Sequence, residues 1–202
     1  MNALTHSLCS QLPASQWARL PAAVQARFGQ VFTPGRSQCY SGQTLCSRAS
    51  KLGWLLAQLG RLIGAPLPLH CYNGPVVVTV TDHDGNGGQN WCRVYHKQRG
   101  FGQCIQSIKR FRGPTGLEEY LGFGLAMALR LSVEEGALLF RSAGFVLYLG
   151  ALRVSLPAWL TPFELTVVHR ELSKQRFEFL LDLAHPRFGE LIHQRMLFCY
   201  DE

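Results

Sequence analysis

The chain has 202 residues, a net charge of +7, 47% hydrophobic residues and only 16% charged residues. This apolar composition excludes an intrinsically disordered protein, and the length is sufficient for one packed core. We therefore expect a single domain over residues 1–202, with a loosely ordered tail over residues 1–13.

The positive charge predicts acidic partners such as nucleic acid, anionic lipid or a small anion, although many basic proteins bind none of these. Seven cysteines without any C-x-x-C pair indicate free or buried thiols rather than a zinc site or a secreted disulfide framework. No signal peptide is visible, and the longest apolar stretches are about half the ~20 residues that a membrane-spanning helix needs. These features predict a cytoplasmic protein without a membrane span.

Two segments in the first third of the chain have helical patterns. Apolar residues recur at helical spacing over 14–28, where Pro21 is expected to weaken or kink the helix. A leucine-rich stripe covers 52–63, and Ser50 is placed to cap its start. Between them, residues 37–47 have the pattern of a strand.

From Pro75 onward the hydrophobic pattern has a period of two residues, which is typical of β-strands. In the stretch 123–133, bulky residues alternate with small ones such as Gly124 and Ala126, and we expect the small face to point inward and leave space. Short turns separate the successive strands, which predicts antiparallel neighbours. The fold class is therefore β-rich α+β: a long antiparallel meander, strongly curved or barrel-like, packed with two helices.

Several short motifs follow one another along the chain: "YSG" at 40–42, "VVVTVT" at 76–81, "EEYLG" at 118–122, "LPAWLTP" at 156–162 and "HPRFG" at 185–189. Their order and spacing resemble a bacterial family called domain of unknown function 4166, over about residues 17–198. The pattern departs from the family at "LCSRAS", 45–50, and at Arg195 and Met196. The resemblance implies a single domain that occurs alone or attached to saccharopine-dehydrogenase-like oxidoreductases, and it implies no mechanism.

The stretch "NWCRVYHK", residues 90–97, places Trp91, Arg93, Tyr95 and Lys97 on one face of a strand. Two aromatic rings beside a guanidinium suit the wall of a partly enclosed cavity better than open solvent. Arg93 then needs an acceptor, which is either a protein carboxylate such as Glu119 or Glu171, or the anionic group of a ligand.

Three more residues complete the set of candidate ligand-binding residues. Arg130 lies on the small face of its strand, and His169 and Glu171 share one face of a later strand. A histidine and a carboxylate on an apolar wall are either an acid/base pair or a mutually satisfied structural pair. The candidates are Trp91, Arg93, Tyr95, Arg130, His169 and Glu171.

Other motifs favour structural roles. The stretch "DHDGNGG" from Asp82 matches half of a calcium-binding loop, but Arg93 occupies the position of the essential glutamate, so a hairpin turn is favoured. Basic residues form two separate patches, one at Lys97 and Arg99 and one over 109–112, which disfavours nucleic-acid binding. No nucleophile, metal or cofactor motif is present, so we expect no catalysis by this domain alone.

These observations predict a protein that binds a small apolar or amphipathic anionic ligand inside a curved β-sheet. The alternative is an accessory module that interacts with an oxidoreductase or a membrane-associated partner. Neither hypothesis implies a metal or a cofactor.

Overall fold

The computed structural model describes residues 7–32, 35–62, 64, 67–69, 74–96 and 101–200. The helical elements are a short 3-10 helix, Leu8–Gln11, and the helices α1 (Ala14–Trp17), α2 (Ala22–Gly29) and α3 (Lys51–Leu62). The strands are β1 (Ser37–Ala49), β2 (Pro75–Asp82), β3 (Gln89–Tyr95), β4 (Gln103–Arg110), β5 (Glu118–Gly122), β6 (Leu125–Glu134), β7 (Ala137–Leu149), β8 (Leu152–Ser155), β9 (Glu164–Ser173), β10 (Arg176–His185) and β11 (Gly189–Cys199). No helix in this part of the chain is long and apolar enough to cross a membrane.

The strands form one antiparallel sheet in the order β6-β5-β4-β3-β2-β1-β11-β10-β9-β7-β8. A further pairing of β6 with β7 closes ten of them into a barrel, and β8 pairs with the second half of β7 outside the ring. The prediction of a β-rich fold with a barrel-like antiparallel meander is confirmed. Closure gives every barrel strand two neighbours, which leaves no open sheet edge in the ring.

Strand alternation sorts side chains between the barrel interior and its outer surface. Val76, Val78 and Val80 of β2 are buried in the core, as are Trp91 and Tyr95 of β3. The predicted turn after β2 is confirmed, because the carboxylates of that loop accept backbone N–H groups within the loop itself. The tip of the next hairpin, with Lys97 and Arg99, lies outside the described residues.

The two ends of the barrel are closed by different helices. We call the end near α2 the floor, because Phe28 of α2 stacks on Trp91 inside the barrel at a ring-centroid distance of 6.3 Å. We call the opposite end, where α3 packs on β11, the mouth. At the mouth a Cβ on Gly53 would collide with the backbone carbonyl of Leu191, so the absence of a side chain lets α3 approach the sheet closely.

The amino-terminal segment differs from our expectation in two respects. The helix predicted over 14–28 is divided into α1 and α2, because Pro21 lacks an N–H group and disfavours helical geometry at Leu20 before it. The described residues therefore form three α-helices where two were expected. We also expected a loose tail over 1–13, but Leu8 and Leu12 are buried in the main core; residues 1–6 lie outside the described residues.

The expectation that the small face of β6 points inward is wrong. Leu125, Met127 and Leu129 line the barrel interior, whereas Ala126 and Ala128 belong to the opposite face and are nevertheless buried. Alternation defines two faces without stating which one is internal. Space inside the barrel therefore has another origin: α3 lies across the mouth and does not fill the interior.

Candidate functional site

The barrel encloses a cavity of about 360 Å³ between the floor and the mouth. Its wall is mostly aliphatic and aromatic, and it includes Leu125, Met127, Leu129, Leu165, Val167, Phe179, Leu181 and Leu183. This volume lies near the lower end of the range of about 300–1,000 Å³ that is usual for small-molecule sites. The cavity is therefore large enough for a small apolar ligand.

One patch of the wall is polar, and we call it the cation cluster: Arg93 of β3, Ser107 and Lys109 of β4, and Glu119 of β5. Glu119 lies at its centre. Its Oε1 accepts hydrogen bonds from Ser107 Oγ at 2.5 Å and from Arg93 Nη2 at 3.5 Å. Its Oε2 lies 3.2 Å from Lys109 Nζ. Strand register brings them together, because Lys109 pairs directly with Glu119 across β4 and β5.

The cation cluster contains two positive side chains and one negative side chain. Among the described residues, Glu119 is the carboxylate that pairs with Arg93 and with Lys109. The Trp91 ring lies 4.4 Å from Lys109 Nζ and 5.4 Å from the Arg93 guanidinium carbon, so both cations face its π-system. Cation–π contacts attract the two cations but provide no negative charge. The cluster therefore carries an excess charge of +1.

The pKa values of the cluster maintain this charge at neutral pH. Burial lowers the pKa of Lys109 to about 8 against the opposing effect of Glu119, and the charge of Arg93 lowers it as well. Burial alone would raise the pKa of Glu119, but Lys109, Arg93 and the Ser107 hydroxyl together lower it to about 2. At pH 7 both groups are ionised, although Lys109 is only 5% exposed.

His169 of β9 lies on the cavity wall close to the floor. Its ring centroid lies 3.7 Å from that of Phe179 and 4.6 Å from that of Phe28. Burial lowers the pKa of His169 well below its usual range, and the nearby cations Arg27, Lys109 and Arg93 lower it further. Its Nδ1 has no hydrogen-bond partner among the residues described. His169 is therefore neutral and has an unmet hydrogen-bonding capacity beside the cavity.

A second buried ion pair lies at the floor, and we call it the floor pair: Arg27 of α2 and Glu171 of β9. Arg27 Nη2 lies 3.1 Å from Glu171 Oε2, and the Tyr200 hydroxyl donates to the same oxygen at 3.0 Å. The Arg27 guanidinium also stacks 3.6 Å from the Phe177 ring centroid. One cation faces one carboxylate, and this pair joins α2 to the barrel.

Among the described residues, several segments that belong to no barrel strand border the mouth, and they include Leu67 and Pro68 after α3. Leu56, Leu59 and Gly60 of α3 line it on one side, and the connection from β8 to β9, residues 156–163, lines it on the other. In that connection Leu160 and Phe163 contact the cavity.

The structure places four of the six predicted ligand-binding residues together. Trp91, Arg93, Tyr95 and His169 all line the cavity. Arg130 is exposed on the outer surface of β6, and Glu171 belongs to the floor pair. Of the two carboxylates proposed as the acceptor for Arg93, the one in contact is Glu119.

Sequence reasoning missed Lys109 and Ser107. Lys109 was grouped with Arg110 and Arg112 as part of an exposed basic patch, but it points into the barrel. A signal was present, because Ile105, Ser107 and Lys109 lie two residues apart and therefore on one face of β4. Lys109 lies on the same strand face as the apolar Ile105, and this spacing indicates that its side chain points into the barrel.

Among the described residues, one group of potential metal ligands lies outside the cavity. Side-chain donor atoms of Asp182, Glu190 and His193 lie within 4.8 Å of one another on the outer surface of β10 and β11. His193 Nδ1 and Asp182 Oδ1 share a hydrogen bond of 2.5 Å, and Arg48 pairs with Glu190 at 3.6 Å. These groups satisfy one another and form part of the outer polar surface.

Comparison with known proteins identifies one family. A sequence model of the family described as Domain of unknown function (DUF4166) matches residues 20–198, which is nearly the whole chain. No curated protein and no solved structure matches the chain.

Proposed function

The chain belongs to the DUF4166 family, and we propose that the barrel of this member binds a small amphipathic anion inside its cavity. The anionic group would contact Arg93 and Lys109, and the apolar part would lie against the aliphatic wall toward the mouth. The observation that carries this proposal is the excess positive charge of the cation cluster in an otherwise apolar cavity.

A buried charge without a counter-ion is costly. Removing an ion from water carries a penalty of several kcal/mol even in real, relaxed proteins, and a partner charge with good geometry is needed to offset it. Glu119 offsets one of the two cations. A ligand carboxylate would offset the other, and it would gain hydrogen bonds to charged donors worth about 1.5–3 kcal/mol.

The arrangement also supports a ligand with one negative charge that binds head first. A monoanion reduces the cluster charge from +1 to zero, whereas a dianion leaves a buried negative charge. The cluster lies toward the floor, where Trp91 stacks on Phe28, and the leucine-rich wall continues from there toward α3 and Leu160. A charged head near the floor and an apolar chain toward the mouth match this gradient.

Three probes of equal chain length test the proposal: dodecanoate, dodecanol and dodecyl phosphate. We expect isothermal titration calorimetry below the micellar range to show that dodecanoate binds at least about tenfold more tightly than dodecanol, as one charge-assisted hydrogen bond requires. Dodecyl phosphate should bind more weakly than dodecanoate as its second ionisation proceeds. Native mass spectrometry before and after solvent extraction would identify any molecule that is purified with the protein.

A matched pair of variants assigns the effect to the cluster. Lys109→Met removes the excess charge and should abolish the preference for dodecanoate over dodecanol. Arg130→Gln removes the same charge from the outer surface of β6 and should leave the preference intact. Equal affinity for the acid and the alcohol in the wild-type protein would contradict the proposal.

Two predictions from the sequence stay outside this proposal. The expectation that the domain alone is not catalytic is tested by a turnover assay on Glu171→Gln, because an activity abolished in a stably folded variant would contradict it. The accessory-module alternative, with an oxidoreductase as partner, stays a hypothesis that gene neighbourhood and affinity purification would test.

A further inference from the structure

The mouth end of the barrel carries most of the large apolar side chains that are exposed in the described part of the chain. Leu62, Phe123 and Trp159 are 79%, 78% and 79% exposed, and Leu59, Leu149 and Leu160 are also exposed. We call these six residues the apolar rim. At the floor end the corresponding exposed side chains are Val31 and Leu172. In an antiparallel barrel successive connections lie alternately at the two ends. The exposed apolar side chains are therefore concentrated in the connections of the mouth end.

Contacts among the described residues join part of the apolar rim along the mouth. After α3, Gly64 packs against the Phe123 ring, which lies in the turn between β5 and β6. That turn bonds to the end of β7, because Tyr148 N donates to Gly124 O at 2.8 Å, and β7 ends at Leu149. Leu59 and Leu160 of the rim also line the cavity, so the rim and the interior form one apolar surface.

The described connections at this end carry charges of one sign, although the exposed Glu164 and Glu190 lie at the mouth ends of β9 and β11. The described residues of the mouth-end connections include Lys51, Arg61 and Arg187 and contain no Asp or Glu. The floor-end turns have both signs, with Asp84 and Glu135 as well as Lys174. An exposed apolar surface with a tryptophan and flanking cations is complementary to an anionic bilayer, where indole rings favour the interface and basic residues are attracted to lipid headgroups.

We propose that the apolar rim docks on an anionic lipid membrane, so that an amphipathic ligand passes between the bilayer and the cavity without crossing water. The purpose of this docking rests on the proposed ligand-binding function, but the contact itself does not. Burial of the rim in the interfacial region would open the mouth toward the lipid, because Leu59 and Leu160 lie on both surfaces.

Co-sedimentation with large unilamellar vesicles tests this docking. The wild-type protein should bind vesicles that contain phosphatidylserine, should bind phosphatidylcholine vesicles more weakly, and should be released by salt. The double variant Leu62→Ser/Trp159→Ser should lose binding by at least about tenfold, because two large apolar side chains are removed from the contact. The control Val31→Ser/Leu172→Ser removes exposed apolar side chains from the floor end and should bind as the wild type does.

The outcomes separate the two proposals. Dodecanoate binding by the same variants in the absence of vesicles reports on the cavity alone, and melting temperature reports on folding. Normal dodecanoate binding without vesicle binding would overturn docking and leave the cavity proposal standing. Vesicle binding that the rim variant retains would also overturn it. So would a wild-type dimer that the rim variant dissociates in light scattering, because a second copy would then cover the rim.

Discussion

The floor pair and the cation cluster are both buried, both contain arginine and glutamate, and both adjoin aromatic rings, yet they differ in charge balance. Arg27 and Glu171 form one cation with one carboxylate, and the Tyr200 hydroxyl donates to Glu171, although Arg27 Nε and Nη1 and Glu171 Oε1 have no hydrogen-bond partner among the described residues. Arg93 and Lys109 share the single carboxylate of Glu119. A balanced pair is sufficient for structure, because its charges offset each other's loss of hydration. The unbalanced cluster is the basis of the proposed anion site.

The largest effect is expected from breaking the floor pair. Arg27→Met leaves Glu171 buried without its cation and removes the stacking on Phe177, so we expect a loss of about 3–5 kcal/mol in the free energy of unfolding. Urea denaturation measures this change. Dodecanoate affinity of the folded variant should stay close to that of the wild type, and a tenfold loss of affinity would contradict the division between the two clusters.

A somewhat smaller loss in the free energy of unfolding is expected when the carboxylate of the cation cluster is removed. Glu119→Gln leaves Arg93 and Lys109 without a carboxylate and should lower the free energy of unfolding by about 3 kcal/mol. A bound anion stabilises only the folded state, so dodecanoate should raise the unfolding midpoint of this variant more than that of the wild type. Dodecyl phosphate should also gain affinity relative to dodecanoate. A variant that no anion restores would argue against an anion site.

The pH dependence of binding tests the role of Lys109. Because its pKa in the folded protein is lowered to about 8 from 10.5, the free protein loses this proton above pH 8 and the excess charge disappears. Dodecanoate affinity should be roughly constant from about pH 6 to 8 and fall by up to about tenfold per pH unit above that. Lys109→Met should show no such fall, and a persistent fall in the variant would assign the titration to another group.

The lowered pKa of Lys109 has the opposite effect on the free energy of unfolding: this free energy increases as pH rises, whereas dodecanoate affinity decreases. Below pH 8 the folded protein bears the cost of keeping Lys109 charged. Between pH 8 and 10.5 the unfolded chain still binds the proton that the folded state releases, so this group makes the unliganded protein more stable as pH rises through that window. The difference in unfolding free energy between the wild type and Lys109→Met across this range isolates the effect from other titrating groups.

The smallest effect is expected on the cavity wall away from both clusters. The Tyr95 hydroxyl donates to Gln194 Oε1 at 3.2 Å, and Gln194 is fully buried. Tyr95→Phe should lower the free energy of unfolding by about 1 kcal/mol and leave dodecanoate affinity unchanged, because the ring that forms the wall is retained. A marked loss of affinity would show that the hydroxyl contacts the ligand and would extend the polar site beyond the cation cluster.

Side-chain alternation along a strand correctly predicts cavity-lining residues where all of them lie on that one strand. The alternation in "NWCRVYHK" correctly grouped Trp91, Arg93 and Tyr95, and the spacing of His169 from Leu165 and Val167 placed it on the cavity wall. The same alternation on β4 would have revealed Lys109, had its apolar neighbours been given more weight than its basic ones. Glu171 shared the face of His169 but lies at the floor, where Arg27 from a distant helix binds it.

The sequence by itself determined the period-two strands, their antiparallel order, the leucine-rich helix and the faces on which the candidate residues lie, because these follow from side chains a few positions apart. Only the tertiary structure decided that the sheet closes, that the bulky face of β6 points inward and that α3 covers the mouth instead of filling the interior. It also decided the charge balance of each cluster. These features depend on contacts between residues far apart in the chain, such as Arg27 with Glu171, which no local period encodes.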